Sequence, residues 1–149
     1  MAALESKVMS LRFLDRLQPL GWLALRVVLG IIMIGHGYGK VFGGLHKHAE
    51  VVASLGMPAW LGYVSSFVEF FGGILLVVGL CTRCAAIAVC INMLVAVFKV
   101  HFHNGLLGQG GYQFPLALAA MAFALVFTGP GPIALDWVFG RGGGRGVKG

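Results

Sequence analysis

Charge is scarce in this chain, and negative charge scarcer still. Five Asp and Glu stand among 149 residues, and charged residues of both signs make up 11%. A soluble domain carries roughly a quarter charged residues, so a water-facing surface of the usual kind is excluded. Cysteine is limited to three residues, too few for a disulfide-built fold. There is no H-E-x-x-H, no carboxylate cluster and no Cys–His set. A metal site would lack its usual ligands, and none is expected. Nor does any internal repeat support a solenoid or an inverted-repeat transporter.

What is abundant is apolar: 58% of residues are hydrophobic and mean hydropathy is +0.90. Four runs stand out, roughly Pro19–Tyr38, Trp60–Leu80, Cys84–Val100 and Phe114–Thr128. A bilayer span needs about 20 mostly apolar residues. The third run reaches that length by extending through His101 toward His103, and the fourth by recruiting Tyr112 and Gln113. The first is too long for a signal-peptide core and no A-x-A-like site follows it, so it reads as a retained span. The expected fold class is all-α: an integral membrane four-helix bundle with short interfacial helices. The expected organisation is a cytoplasmic interfacial segment at 1–18, a four-helix transmembrane domain at 19–139, and a flexible Gly/Arg tail at 140–149.

The net charge of +6 is read by placement. Lys7, Arg12 and Arg16 precede the first run, Arg83 lies between the second and third, and Arg141, Arg145 and Lys148 follow the fourth. The positive-inside rule puts both termini and the Arg83 turn in the cytoplasm. The basic residues are topological signals, so nucleic acid is not an expected partner. Membrane lipid is. Apolar residues recur at helical spacing in Glu5–Gln18, and again from His46 to Leu55 before Gly56 and Pro58. Two short surface helices are expected there.

Polar residues inside the runs carry the functional reading. Arg26, Glu69 and Asn92 each interrupt an apolar run, and a charge at the bilayer centre costs about 2.5–3.5 kcal/mol on insertion scales. Helical periodicity places Arg26 with Gly30, Met33, Gly37 and Lys40. It places Glu69 with Gly62, Ser65, Ser66, Gly72 and Gly73, and Asn92 with Ala85, Ala88, Ala96, Lys99 and His103. In the fourth run it groups Ala117, Ala120, Ala124 and Thr128. Turned inward, these faces give a polar seam within close-packed helices. Counted from the ends of their runs, Arg26 and Glu69 both lie near the midplane, so an Arg26–Glu69 pair is expected. It serves either as a structural pin or as the wall of a pocket for a polar headgroup such as a quinone carbonyl. His36, Lys40, Lys99 and His103 would guard the outer mouth, and Tyr112 is a further ligand-binding candidate. Imidazoles suit that place because they titrate near neutrality.

The order Leu25-Arg26-Val27, Gly35-His36-Gly37-Tyr38-Gly39-Lys40, Phe67-Val68-Glu69-Phe70-Phe71-Gly72-Gly73 and Gly79-Leu80-Cys81-Thr82-Arg83 resembles the DoxX family. So does Asn104-Gly105 through Gly110-Gly111-Tyr112, closed by Gly129-Pro130-Gly131. The resemblance runs from about Gly21 to Trp137 and implies a small four-span bacterial inner-membrane protein. It also implies association with membrane redox systems, such as thiosulfate:quinone oxidoreductase and complexes that handle thiols. Family-like positions are Arg26, His36, Lys40, Glu69, Arg83, Asn104, Gly111 and Tyr112. Where the family usually has bulky apolar residues this chain has Cys81 and Cys84, so a thiol role there is not implied by the resemblance. That C-x-x-C lacks a thioredoxin-like βαβ context and reads as incidental, with Cys90 a small core residue.

These readings converge on a quinone-interacting subunit of an oxidoreductase complex, with other membrane or redox subunits as partners and no covalently bound cofactor. No complete catalytic constellation is legible, and catalytic residues stay unassigned. The alternative is a non-catalytic accessory subunit that stabilises a larger membrane complex.

Overall fold

The computed structural model describes residues 12–142. The expected surface helix before residue 12 and the tail beyond 142 lie outside the described residues. A short 3-10 helix, Arg12–Leu17, leads into α1, Gln18–Gly43. Pro19 suits this start, since a helix's first turn has no internal use for its N–H. The short α2, Leu45–Ser54, follows after one residue, and then come α3, Trp60–Val78, and α4, Thr82–Val95. Helix α4 continues through a π-helical turn at Ala96–His101 and a 3-10 turn at Phe102–Asn104. After a loop come α5, Gln113–Thr128, and α6, Leu135–Gly142. The reading from sequence did not anticipate α6, which runs three residues into the stretch expected as tail.

Helices α1, α3, α4 and α5 form the bundle. The most extensive contact joins α1 to α3, and the chain of contacts continues from α3 to α4 and α4 to α5, with α5 closing more sparsely on α1. Leu29, Met33, Leu76, Val89, Leu118, Ala122 and Leu125 fill the centre. The outside is apolar too: Ile31, Phe42, Phe71, Ile91, Phe98, Phe123 and Phe127 are all exposed. A greasy exterior around a packed interior is what a lipid-facing bundle requires. Three helical stretches, Leu14–Gly43, Trp60–Val78 and Thr82–Asn104, are long and apolar enough to cross a bilayer, while Gln113–Thr128 is shorter.

Small residues set the α1–α3 crossing. A Cβ added to Gly30 would lie 2.7 Å from the Gly73 carbonyl oxygen, and one on Gly73 would lie 2.7 Å from that of Gly30. Backbone therefore meets backbone, as the small-residue rule for membrane helices predicts. The expected inward faces of α1 and α3 are buried as read, from Arg26 through Gly37 and from Gly62 through Gly73. The fourth run is different. Its buried face is Pro115, Leu118, Ala119, Ala122 and Leu125, whereas Ala117, Ala120 and Thr128 are exposed. Alanines occur all around α5, so small size did not single out one face. The packing against α4 did, with Ala119 of α5 set against Cys90.

Candidate functional site

The α1–α3 register decides which polar groups meet. The helices run antiparallel, with Gly30 against Gly73, Gly37 against Phe70, and Arg26 against Gly79. Glu69 is therefore level with the last turns of α1, some ten residues beyond Arg26, or about 15 Å along the axis. The expected Arg26–Glu69 pair does not form. Depth counted from the ends of two runs fixed neither helix's true end nor the offset between them; α1 extends five residues past the expected Tyr38.

Lys40 takes the place expected for Arg26. Its Nζ donates to Glu69 Oε2 at 2.6 Å and Oε1 at 2.7 Å. Asn92 Nδ2 donates to Oε1 from α4 at 3.1 Å, and Ser65 Oγ from one turn back on α3 at 3.4 Å. The Glu69 side chain is 4% exposed and that of Lys40 29%. A carboxylate this deep is tolerable because its oxygens are satisfied and its charge is opposed.

Beside this cluster lies a cavity of about 490 Å³ between α2, α3 and α4. Lys40, Ser65, Glu69 and Asn92 form its polar wall, Val52, Val64, Val68, Ile91 and Val95 its apolar one, and His48, Lys99 and His101 also line it. An apolar chamber with a few convergent polar groups is the usual form of a small-molecule site, and the volume lies within the usual range of about 300–1,000 Å³.

Of the residues expected at the site, Lys40, Glu69, Asn92 and Lys99 are thus brought together. Four are not. Arg26 is at the other end of α1. His36 is exposed and its ring lies 5.7 Å from that of Phe114. Tyr112 stacks on Phe102 at 5.8 Å. His103 is exposed on the 3-10 turn, and His101 lines the cavity instead. The π-helical turn explains that exchange: i→i+5 bonding closes the turn over one residue more than i→i+4, so His101, five residues after Ala96, continues the cavity face in place of His103. His101 Nδ1 is also 2.7 Å from the Gly110 carbonyl oxygen, which accepts from Asn104 Nδ2 at 3.1 Å. Those bonds fold the loop back onto the end of α4.

His48 was missed as a site residue. The signal that could have found it is its place one residue before the buried Ala49 face of α2. Ala49 packs where a Cβ on Gly62 would fall, 2.6 Å from its Cα. That contact seats α2 on α3 and brings His48 to the cavity. Its Nε2 is buried without a hydrogen-bond partner. Burial pushes the His48 pKa down, the Lys40 charge adds to this, and Glu69 opposes it.

A second polar cluster forms at the opposite end. Arg26, 2% exposed, donates from its two terminal nitrogens to the carbonyl oxygens of Pro130 and Ile133, both at 2.7 Å. Asp136 of α6 accepts from the backbone N–H of Cys81 at 2.6 Å and of Thr82 at 2.8 Å. It thereby caps α4 from a distant part of the chain. Burial raises the Asp136 pKa, but the hydrogen bonds from Thr82 and Cys81 and the Arg26 charge outweigh it, so the carboxyl is held below its usual range. The turn is glycine-dependent: Gly79 has φ +71, and a Cβ there would strike the Arg26 guanidinium.

Comparison with known proteins gives concordant matches. A Bacillus subtilis (strain 168) protein described as "Putative oxidoreductase CatD" is 32% identical over 117 residues, covering 78% of this chain and 85% of that protein. An uncharacterized protein of Haemophilus influenzae is 32% identical over 131 residues, 83% of this chain and 93% of its own. The Escherichia coli K12 inner membrane protein YqjF is 28% identical over 127 residues, 83% and 95%. No solved structure gives a significant match. Residues 21–102 match the DoxX family itself, and with more than half of its length so matched, this membrane-embedded chain belongs to the DoxX family.

Proposed function

We propose that this chain is a redox-associated protein of the bacterial inner membrane that binds a quinone headgroup in the α2–α3–α4 cavity and works with subunits that supply the electrons. In this reading α5 is a fourth span. At about 24 Å it is short for a bilayer core, and Tyr112 and Gln113 extend it. Both termini lie on the cytoplasmic side, where the positive-inside rule places the flanking Arg and Lys. The redox and inner-membrane elements draw on the descriptions of CatD and YqjF.

The observation that carries the proposal is the Lys40–Glu69–Asn92 cluster set into the wall of an otherwise apolar cavity. A quinone is an apolar ring and tail with two carbonyl oxygens, so it matches a chamber of this lining. Reduction to the quinol takes two electrons and two protons. A membrane electron donor of the partner complex supplies the electrons. This chain's own groups handle the headgroup: Lys40 donates a hydrogen bond to a carbonyl oxygen, and Glu69 holds the ammonium in place. Glu69 and His48, both on the cavity wall, are the groups that would pass protons to the headgroup.

The test is equilibrium binding of a short-tailed quinone to the purified chain in nanodiscs, with native quinone measured by mass spectrometry. Saturable binding is expected, weakened at least about tenfold in Glu69→Gln or Lys40→Met, since a lost charge-assisted hydrogen bond is worth about 1.5–3 kcal/mol. Absence of saturable binding, or binding indifferent to both substitutions in a folded protein, rejects the quinone assignment.

A further inference from the structure

The turn between α3 and α4 lies at the end of the bundle away from the cavity, and nothing in the quinone reading uses it. Cys81 and Cys84 are both exposed there, while Cys90 is buried. Cys81 immediately precedes α4 and Cys84 is in its first turn. Thr82 and Arg83, the two residues between them, are helical. That fixes the Cys81 and Cys84 Cα atoms about 5 Å apart, inside the roughly 4.4–6.8 Å that a disulfide spans. The backbone is special at one of them: among the described residues Cys81 is the only non-glycine with positive φ, at φ 48. A side chain in that region costs on the order of 1 kcal/mol, and here the Asp136 carboxylate holds it by gripping the N–H groups of Cys81 and Thr82. Arg26 in turn holds the 130–133 carbonyls that lead into α6. The pair of thiols is thus built into the point where α6 is fastened to the bundle.

We propose that Cys81 and Cys84 are a reversible dithiol–disulfide pair, and that their oxidation competes with the Asp136 clamp and so loosens α6. The co-reactant is a low-molecular-weight disulfide. One cysteine thiolate attacks it, forming a mixed disulfide and releasing one thiol. The second cysteine then displaces the other thiol, losing its proton and closing the Cys81–Cys84 bond. Two electrons and two protons pass to the co-reactant, and a dithiol such as thioredoxin's reverses the exchange. In a reducing compartment the pair stands reduced and closes transiently, as thiol sensors do. Closure constrains Cys81 between its Cβ and α4, and the clamp depends on the φ of that same residue.

The experiment uses the full chain in nanodiscs, equilibrated in graded mixtures of reduced and oxidised glutathione, then alkylated and mapped by mass spectrometry. Cys81 and Cys84 are expected to lose their thiols together at one midpoint as an internal disulfide, with Cys90 unchanged; Cys81→Ser or Cys84→Ser leaves only a glutathione mixed disulfide on the remaining thiol. Persistence of both thiols, or separate mixed disulfides in the unaltered chain, overturns the pair. Coupling is read from Trp137, next to Asp136, in a Trp22→Phe/Trp60→Phe background. Oxidation is expected to change its fluorescence with both cysteines present and not in the Cys81→Ser/Cys84→Ser double variant. Asp136→Asn, checked for retained helicity, is expected to ease oxidation by up to about fivefold in glutathione ratio, as weakening of a competing cap would. An unchanged midpoint, or an oxidised protein with unaltered Trp137 emission, overturns the coupling. Quinone binding by the oxidised chain is a separate readout, so failure of either proposal is distinguishable from failure of the other.

Discussion

The two buried cationic clusters use the same chemistry to different ends. Arg26 is almost fully enclosed, and its two terminal nitrogens donate to main-chain carbonyls of a loop far along the chain. A planar guanidinium suits that task, because it presents several donors in a fixed fork and stays charged. Lys40 instead faces a single carboxylate, remains partly exposed, and borders a cavity. Its ammonium is a compact charge on a flexible stem, free to share itself between Glu69 and a ligand. A cation in a membrane helix therefore does not by itself mark a functional pocket. What it is bonded to, and whether space adjoins it, separates a fastening from a site.

The sharpest way to break this contrast is to remove each cation. Arg26→Met is expected to be the most damaging substitution. It strips two carbonyls of charged donors and leaves Asp136 without its nearby positive charge, a loss of about 3–5 kcal/mol. Loss of yield and a large fall in Tm in detergent would show it. Lys40→Met is expected to cost less, about 1–3 kcal/mol, because the Lys40 charge is partly exposed and Glu69 keeps Asn92 and Ser65 as donors. If Lys40→Met proves as destructive as Arg26→Met, the division between fastening and site fails. Lys40→Met combined with Glu69→Gln is expected to be more stable than Lys40→Met alone, since no uncompensated carboxylate remains. Thermal unfolding of the three variants measures that coupling.

The helix crossing that keeps the clusters apart is itself testable. Gly73→Leu puts side-chain atoms where the Gly30 carbonyl and Ile34 now lie, and overpacking of this sort costs about 1–3 kcal/mol or more. Because the α1–α3 register carries Lys40 to Glu69, the variant is expected to lose quinone binding as well as stability. Gly35→Leu is the matched control: nothing lies within 4 Å of a Cβ there, and both properties should be nearly unchanged.

Much of this arrangement is legible in the sequence. Four apolar runs, the buried faces of α1 and α3, and the inward placing of Glu69, Lys40 and Asn92 follow from hydropathy, period and small-residue spacing. The parts that escaped share a cause, for each depends on how one element is offset against another. The Arg26–Glu69 pairing needed the α1–α3 register, which the close approach of Gly30 and Gly73 sets. The choice between His103 and His101 needed the π-helical turn, for which the sequence Ala96–His101 carries no clear signal. His48 reaches the cavity only because Ala49 seats against Gly62. The role of Asp136 was hidden because its partners are backbone N–H groups some fifty residues away, and backbone donors leave no trace in side-chain patterns.

The mildest expected effect concerns that carboxylate. Asp136→Asn retains the shape and one acceptor oxygen while removing the charge, so the α4 cap is weakened rather than lost, typically by about 1 kcal/mol or less. Acid should mimic it. The folded-state pKa of Asp136 lies below its ordinary value, so its contribution is fully present above an unfolded pKa of about 3.9 and is lost as pH falls from there through the folded value. Between neutrality and about pH 5 the clamp should not respond. His48 acts in the window above: its pKa is also depressed, and its neutral form favours the fold until pH drops below about 6.5. A Tm profile that declines in two steps on acidification is expected, the upper one abolished by His48→Gln and the lower by Asp136→Asn. Were Asp136→Asn to remove the upper step instead, the two ends of the bundle would be coupled more tightly than their separate bonding implies.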